Sequence, residues 1–213
     1  MAFRADRKNP KASMMATFGH FTDSRQRVVD QVRHELMGFG APHTSVPWGD
    51  ELIAIAEELT TAYGDEYGED WQIAMDRFCS DAAFGASTLM CAGEQARVAP
   101  ESTWAYRWDG SRDNYAYHGW ELMFLFGTEP DGLLERRPEI AATAERFRAA
   151  FVALCKHGDP NAEALPRWSP FEASQKELMV FGGDDDGVRV CATAEEHTAI
   201  HALVAKLSDL MKF

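Results

Sequence analysis

The sequence predicts an α/β protein that is rich in helix and has only a few strands. Apolar residues recur at helical spacing in long stretches, most clearly over residues 138–154. Residues 103–108 alternate in polarity and are rich in aromatic side chains, which indicates a strand, and residues 177–181 form a second, apolar strand. Because the helix lies between the two strands in the chain, we expect them to pair in parallel, with the helix as a right-handed crossover.

The other helices follow from the same periodicity. Two amphipathic helices are expected over residues 24–39 and 48–63, and a closing helix over residues 194–211. Residues 71–95 are predicted to form one or two further helices. Gly85 is the expected weak point in that stretch, because a glycine inside a helix costs about 1 kcal/mol relative to alanine.

Length and composition limit the class of protein. A chain of 213 residues with 46% hydrophobic content can build one sizeable core, so residues 1–213 are predicted to form a single domain, with residues 1–22 as an exposed basic arm. The net charge of -13 argues against a nucleic-acid partner, since phosphate binding relies on clustered lysine and arginine. No stretch reaches the ~18 apolar residues of a membrane helix, and residues 1–8 lack the apolar core of a signal peptide. We therefore expect no membrane association and a cytoplasmic location.

One histidine stands out after the first predicted strand. A turn cluster over residues 110–114 ends that strand, and His118 follows among aromatic residues with Gly119 directly after it. Glycine readily adopts a left-handed conformation, which allows the imidazole to be directed away from the strand. This arrangement suits a proton carrier, whereas the structural alternative is a histidine packed among tyrosines without a chemical role.

Three ordered stretches of the sequence resemble one known family. Residues 117–122 (Tyr-His-Gly-Trp-Glu-Leu), with Phe-Gly at 126–127, resemble the signature around the catalytic histidine of the type-B carboxylesterases, the cholinesterase-like branch of the α/β-hydrolases. Residues 156–161 (Lys-His-Gly-Asp-Pro-Asn), followed by the Trp-Ser-Pro-Phe of residues 168–171, are similar to the family's passage from helix to Thr-Gly-Asp-Pro-Asn and Trp-Pro-x-Tyr. Residues 177–181 look like the family's last core strand.

The resemblance covers residues 76–190 and implies the C-terminal part of an α/β-hydrolase fold. It implies a serine carboxylesterase that acts on small carboxylic esters without a cofactor. His118 would be the triad histidine, which takes a proton from a serine hydroxyl and returns it to the leaving alcohol. The missing N-terminal part of such an enzyme would have to complete the site, and a partner chain or a dimer stays open.

The nucleophile is missing from this sequence. An α/β-hydrolase requires Gly-x-Ser-x-Gly at a strand-to-helix elbow, and the sequence contains no such pentapeptide. The nearest match, residues 85–89 (Gly-Ala-Ser-Thr-Leu), lacks the second glycine and follows a helical pattern, so Ser87 is not expected to be the nucleophile. The family's oxyanion loop and acid segment are also missing. The chain alone is therefore expected to be inactive, and the alternatives are an inactive relic or interaction module, or a hydrolase with an unrecognised nucleophile.

Two motifs near the predicted site receive structural interpretations. Glu121 is expected to brace a short helix that begins at Trp120 instead of orienting His118, since the family places its acid earlier in the chain. Residues 158–161 (Gly-Asp-Pro-Asn) are interpreted as a helix stop followed by a rigid turn, with His157 in the last helical turn.

Two further motifs do not predict a metal site. His197 and His201 stand one helical turn apart, yet a threonine replaces the glutamate of the His-Glu-x-x-His motif and no third ligand is evident. Residues 184–187 (Asp-Asp-Asp-Gly) lack the alternating ligands of a calcium loop. They are predicted to form a hairpin turn that leads to a strand over residues 188–190.

Overall fold

The computed structural model describes residues 24–40, 49–110, 119–163, 165–182, 188–192 and 198–210. These residues form two compact units, one of residues 89–192 and the other of residues 24–88 together with 198–210. The predicted arm, residues 1–22, lies outside the described residues. A single domain over residues 1–213 stays a prediction.

Each predicted helix has a counterpart in the structure, with ends that differ by a few residues. The helices are α1 (Arg25–Gly40), α2 (Asp50–Glu66), α3 (Trp71–Ser80), α4 (Ala86–Val98), α5 (Trp120–Phe126), α6 (Leu133–Arg136), α7 (Pro138–His157) and α8 (Ala199–Leu210). Helix α5 begins at Trp120, as expected for the short helix after His118. Helix α7 begins with proline at its first position, where the missing N–H costs no hydrogen bond.

A π-helical turn, Asp81–Gly85, separates α3 from α4 and ends at the predicted weak point. The hydroxyl of Tyr63 donates a buried hydrogen bond of 2.9 Å to Oδ2 of Asp81. A Cβ atom at Gly85 would lie 2.9 Å from both Oδ1 of Asp81 and Cδ1 of Ile200. A larger residue at position 85 would therefore force the side chains of Asp81 and Ile200 to shift.

Helix α8 is joined to α2 by polar contacts within the second unit. Oε2 of Glu66 accepts hydrogen bonds from the backbone N–H of Ala199 at 2.6 Å and from the hydroxyl of Thr198 at 2.9 Å. A carboxylate in this position satisfies an otherwise unpaired donor at the helix start. Further along α8, Lys206 forms an ion pair of 2.7 Å with Glu58. The closing helix thus receives its amino-terminal cap from a residue far away in the sequence.

The sheet of the first unit has three strands, β1 (Tyr106–Gly110), β2 (Glu177–Gly182) and β3 (Val188–Ala192), in the order β1-β2-β3. Strands β1 and β2 are parallel, which confirms the predicted pairing, and β2 and β3 form the predicted antiparallel pair. Helix α7 lies in the crossover between β1 and β2. The right-handed sense of this crossover stays a prediction.

Aromatic rings form the core between the sheet and the helices of this unit. The ring of Phe147 in α7 lies 5.2 Å from the ring of Trp108 in β1 and 5.0 Å from that of Phe181 in β2. Trp108 also stacks on Phe124 of α5, with ring centroids 5.3 Å apart. Such pairs contribute about 0.5–1.5 kcal/mol each beyond the area that they bury. They hold α5 and α7 against the same face of the sheet.

The rigid turn predicted after α7 is present. The helix ends at Gly158, which has a left-handed backbone with φ of 72°. Oδ1 of Asp159 accepts hydrogen bonds from the backbone N–H and the side-chain amide of Asn161, and these bonds lower the pKa of Asp159. Asn161 bonds both backbone groups of Trp168: its Oδ1 accepts from the N–H at 2.7 Å, and its Nδ2 donates to the carbonyl at 2.9 Å. The turn thereby positions the buried Trp168.

Replacement of Asn161 with alanine is expected to lower the free energy of unfolding by about 1–3 kcal/mol, because it removes both bonds to Trp168. Urea unfolding followed by circular dichroism measures this change. Gln175→Ala is the control, since Gln175 forms one exposed side-chain bond to Glu172 and is expected to change stability by about 0.5 kcal/mol or less. Equal stabilities of the two variants would contradict this role of Asn161.

Candidate functional site

The predicted catalytic residue, His118, lies outside the described residues. The structure describes the elements on both sides of it in the chain. Strand β1 ends at Gly110, and α5 follows Gly119, the residue directly after His118. The carboxyl ends of parallel strands are where open α/β sheets place their ligands. The predicted histidine therefore belongs to the connection that leaves β1 at this end of the strand.

The carboxyl ends of β1 and β2 meet at two glycines. Trp108 pairs with Phe181 and Gly110 pairs with Gly182, so Asp109 is an extra residue in β1 and the register shifts there. Both glycines have positive φ, 67° for Gly110 and 90° for Gly182. A Cβ atom at Gly182 would overlap the carbonyl oxygen of Gly110. The bulge lies at the carboxyl end of β1, and such bulges are common beside active sites.

A buried ion pair on β1 includes Asp109, the bulge residue. Nε of Arg107 is 2.7 Å from Oδ1 of Asp109, and Nη2 is 2.8 Å from Oδ2, which makes the pair bidentate. Both residues are only 4% exposed. The pair was not predicted from the sequence, although two opposite charges two residues apart in a strand lie on the same face. Asp109 is thus engaged by Arg107 at the end of the strand.

Gly119 allows the chain to enter α5 in the predicted conformation. Its backbone is left-handed, with φ of 78°, and a Cβ atom there would meet no atom within 4 Å. The left-handed backbone alone accounts for the glycine, which confirms the sequence interpretation of residue 119. Glu121 follows in the first turn of α5 and is fully buried. A carboxylate at this end of a helix is favoured by the helix dipole, which agrees with a bracing role.

Helix α5 is held in place from its inner side. Phe124 is fully buried and stacks on Trp108, with an interplanar angle of 23°. Nη1 of Arg148, from α7, donates a hydrogen bond of 2.6 Å to the backbone carbonyl of Phe124. Carbonyls at a helix end lack intrahelical partners, so this charged donor stabilises the end of α5. The helix that follows His118 therefore has a defined orientation on the sheet.

The phenol of Tyr106, in β1, is affected by the charge of Glu121, in α5. Burial among apolar groups raises the pKa of the Tyr106 phenol to about 12, and the charge of Glu121 contributes to the increase. The Tyr106 ring lies 5.2 Å from that of Phe147 and 5.9 Å from that of Phe151. The phenol therefore stays protonated through neutral pH. Because its folded pKa exceeds the ordinary value of 10.0, its contribution to stability is complete below pH 10 and is lost as the pH rises through about 12.

Replacement of Glu121 with glutamine is expected to lower the pKa of Tyr106, because it removes a negative charge near the phenol. The pKa should stay above 10, since burial is the larger cause of the shift. The absorbance of tyrosinate is measured as a function of pH. The curve of the same protein with Tyr106→Phe is then subtracted, which leaves the titration of Tyr106 alone. Glu172→Gln, at an exposed residue, is the control and should leave the curve unchanged. An unshifted curve for Glu121→Gln would show that Glu121 does not act on this phenol.

Ser87 lies in a helical environment, as expected. It is the second residue of α4, and the residues before it form α3 and the π-helical turn. Its hydroxyl donates a hydrogen bond of 3.0 Å to the carbonyl of Phe84. A nucleophile elbow requires a strand before the serine, so Ser87 does not occupy one. His157, the other histidine before a glycine, is exposed in the last turn of α7.

The alternative metal sites are only partly described. Within the described ranges, no group of three histidine, cysteine, aspartate or glutamate side chains could hold a metal ion. His201 lies in α8, but His197 and residues 184–187 fall outside those ranges. None of the helices that the structure describes is long and apolar enough to span a membrane. The cytoplasmic location stays a prediction.

Solved structures of esterases are similar to this chain. One PNB esterase aligns over 83% of this chain and 40% of its own length, with a TM-score of 0.50 and 19% identity. A thermophilic PNB esterase aligns over the same shares, with a TM-score of 0.50 and 18% identity. A carboxylesterase of Geobacillus stearothermophilus is 22% identical over 80% of this chain and 41% of its own, but its TM-score of 0.49 is too low to support a conclusion. No family model matches the chain, and no curated protein does.

These similarities define the class of fold. The chain has the fold of the C-terminal part of an α/β-hydrolase, which confirms the predicted fold class. The resemblance to the type-B carboxylesterases is thereby confirmed at the level of the fold. The chain spans about 40% of the length of the two PNB esterase structures. At identities below 20%, the fold alone carries over, and the chemistry has to be argued from this chain's residues.

Proposed function

We propose that this chain supplies the general-base histidine of a serine carboxylesterase, and that His118 is this residue. The observation that carries the proposal is the parallel pair β1–β2 in a fold shared with two esterases. The connection that contains His118 follows Gly110, the residue after the bulge at Asp109, and leads to α5 through the left-handed Gly119. Both ends of this connection are thus held by specific backbone geometry.

The proposed chemistry is acyl transfer from a small carboxylic ester. His118 takes the proton of a serine hydroxyl as the oxygen attacks the ester carbonyl, and it returns this proton to the leaving alcohol. In the second half of the reaction, His118 deprotonates a water molecule that attacks the acyl-serine, and it then returns the proton to the serine oxygen. The serine belongs to a part of the fold that this chain does not contain, since the sequence has no Gly-x-Ser-x-Gly elbow.

A non-catalytic role is the second candidate function. The helical position of Ser87 favours it, because the nearest serine match to an elbow has no strand before it. In that case the chain would be an interaction module that kept the strands and helices of the fold without the reaction. The two candidates differ in the role of His118, which only the first one requires.

The isolated chain is expected to show no saturable hydrolysis of p-nitrophenyl esters and no labelling by a fluorophosphonate. The reason is the missing elbow and oxyanion loop, since the donors of such a loop alone account for a factor of about 10²–10³ in rate. Steady-state kinetics and gel fluorescence measure the two properties. Turnover that disappears in Ser87→Ala would contradict the proposal, and turnover that disappears with a chelator would indicate a metal enzyme instead.

A further inference from the structure

We propose that the π-helical turn Asp81–Gly85 is a conformational lock, in which Ile200 of α8 prevents α4 from advancing into a regular helical register. Helices α3 and α4 and the turn between them form one uninterrupted helix over residues 71–98. In the turn, the backbone N–H of Ala86 donates to the carbonyl of Asp81, five residues earlier, whereas an α-helix uses the carbonyl four residues earlier. The turn therefore contains one residue more than the α-helical pattern.

Conversion of the turn to the α-helical pattern would advance α4 by one residue. Helix α3 packs on α1 and α2 and is the fixed part. Each residue of α4 would move to the place of the residue that follows it, about 1.5 Å along the axis and about 100° around it. Such a rotation exchanges the inward face of α4 for another one, so the present and the advanced register are discrete states. Residues 99–105, between α4 and β1, contain a short 3₁₀ turn and would take up the displacement.

Two side chains occupy the space that this conversion needs. The advance would bring Phe84 to the place of Gly85. A Cβ atom in that place would lie only 2.9 Å from Oδ1 of Asp81 and from Cδ1 of Ile200, so a phenylalanine has no room there. The Asp81 carboxylate is held in position by the hydrogen bond from Tyr63 of α2. Contacts from α2 and α8 therefore keep the turn π-helical, and the position of α8 determines how α4 leads into β1.

The sequence of α4 allows the advanced register. Three buried residues and one partly buried glycine form the inward face of α4: Ala86, Leu89, Ala96 and Gly93. In the advanced register, their places go to the preceding residues, which are all uncharged: Gly85, Thr88, Gln95 and Ala92. A shift in the opposite direction would instead bury Glu94 and Arg97. Only the direction that the turn permits leaves both charged side chains of α4 exposed.

The balance between the two registers depends on opposing effects. A Cβ atom at Gly93 would lie 3.8 Å from Cβ of Ala173, an ordinary contact distance, so Ala92 can take this place. The exchange of Leu89 for Thr88 gives up apolar burial, which favours the present register. The preference of helices for the α-helical hydrogen-bond pattern favours the advanced one. Removal of the lock should therefore increase the population of the advanced register.

The test measures how fast a thiol on the inward face of α4 reacts with a maleimide in the folded full chain. Ala96→Cys supplies this thiol, which is buried in the present register and takes the exposed place of Arg97 in the advanced one. Ile200→Val removes only Cδ1 and should raise the reaction rate about 2–10-fold, as this change does for an equilibrium that depends on the lost contact. The native Cys79, buried in α3, is the reference, because it reports unfolding but not the advance. Mass spectrometry of the labelled peptides gives both rates.

Leu207→Ala is the matched control, because Leu207 is buried in α8 but lies about 10 Å further along the helix than Ile200. It should raise the rates of both thiols by the same factor. Deletion of Ala83, an exposed residue of the turn, removes the extra residue without moving α4. In that background, Ile200→Val should leave the ratio of the two rates unchanged.

An unchanged ratio of the two rates in Ile200→Val would overturn the lock. A rise that Leu207→Ala reproduces, or that persists after the deletion of Ala83, would overturn it as well, because α4 would then be loosened without a change of register. Circular dichroism shows whether the shortened chain is folded. If it is not, the comparison of Ile200→Val with Leu207→Ala decides alone.

Discussion

His118→Ala, in a complete enzyme that contains the nucleophile either fused to this sequence or supplied as a partner chain, is expected to lower the acylation rate by about 10³-fold or more. Without the imidazole, the serine hydroxyl has no base to take its proton at neutral pH, and the leaving alcohol has no acid. Substrate binding should change little, because the histidine acts mainly on the transition state. Pre-steady-state release of p-nitrophenol measures acylation separately from deacylation.

His157→Ala is the matched control for this experiment. His157 also precedes a glycine, but it is an exposed residue in the last turn of α7, and Gly158 after it serves as the helix C-cap. A helix-terminal role accounts for this histidine, so its loss should leave the acylation rate unchanged. Equal losses in the two variants, or no loss in His118→Ala, would show that the base lies elsewhere.

The sequence was sufficient to predict elements whose signals are local. Helices α1, α2 and α7 follow from apolar residues at helical spacing, because the face that packs on the core repeats every turn. The parallel pairing of β1 and β2 follows from a helix that separates two strands in the chain. Gly119 was predictable from residue type, since few other residues adopt a left-handed backbone at low cost.

Contacts between residues far apart in the sequence were not predictable in the same way. The cap that Glu66 provides for α8 joins residues more than 130 positions apart, and neither end carries a signal for the other. The π-helical turn likewise depends on Tyr63 and Ile200, which approach Asp81 and Gly85 only in the folded chain. At the candidate site, periodicity predicted the strand, but the bulge at Asp109 arises from pairing with β2.

The bulge leads to the second large effect that we expect. Gly182→Ala should lower the free energy of unfolding by about 2–5 kcal/mol, the sum of a forced left-handed backbone and overpacking. The added methyl group would overlap the carbonyl oxygen of Gly110, a backbone atom that cannot move without breaking the pairing of β1 with β2. Chemical denaturation followed by tryptophan fluorescence reports the change, since Trp108 lies in β1 beside the bulge.

Gly127→Ala separates the two causes of that destabilisation. Gly127 also has a left-handed backbone, with φ of 65°, but a Cβ atom there would meet no atom within 4 Å. This variant should therefore lower the free energy of unfolding by only about 1–2 kcal/mol, which is the effect of the left-handed backbone alone. If Gly182→Ala were no more destabilising than Gly127→Ala, the ends of β1 and β2 would not be in contact.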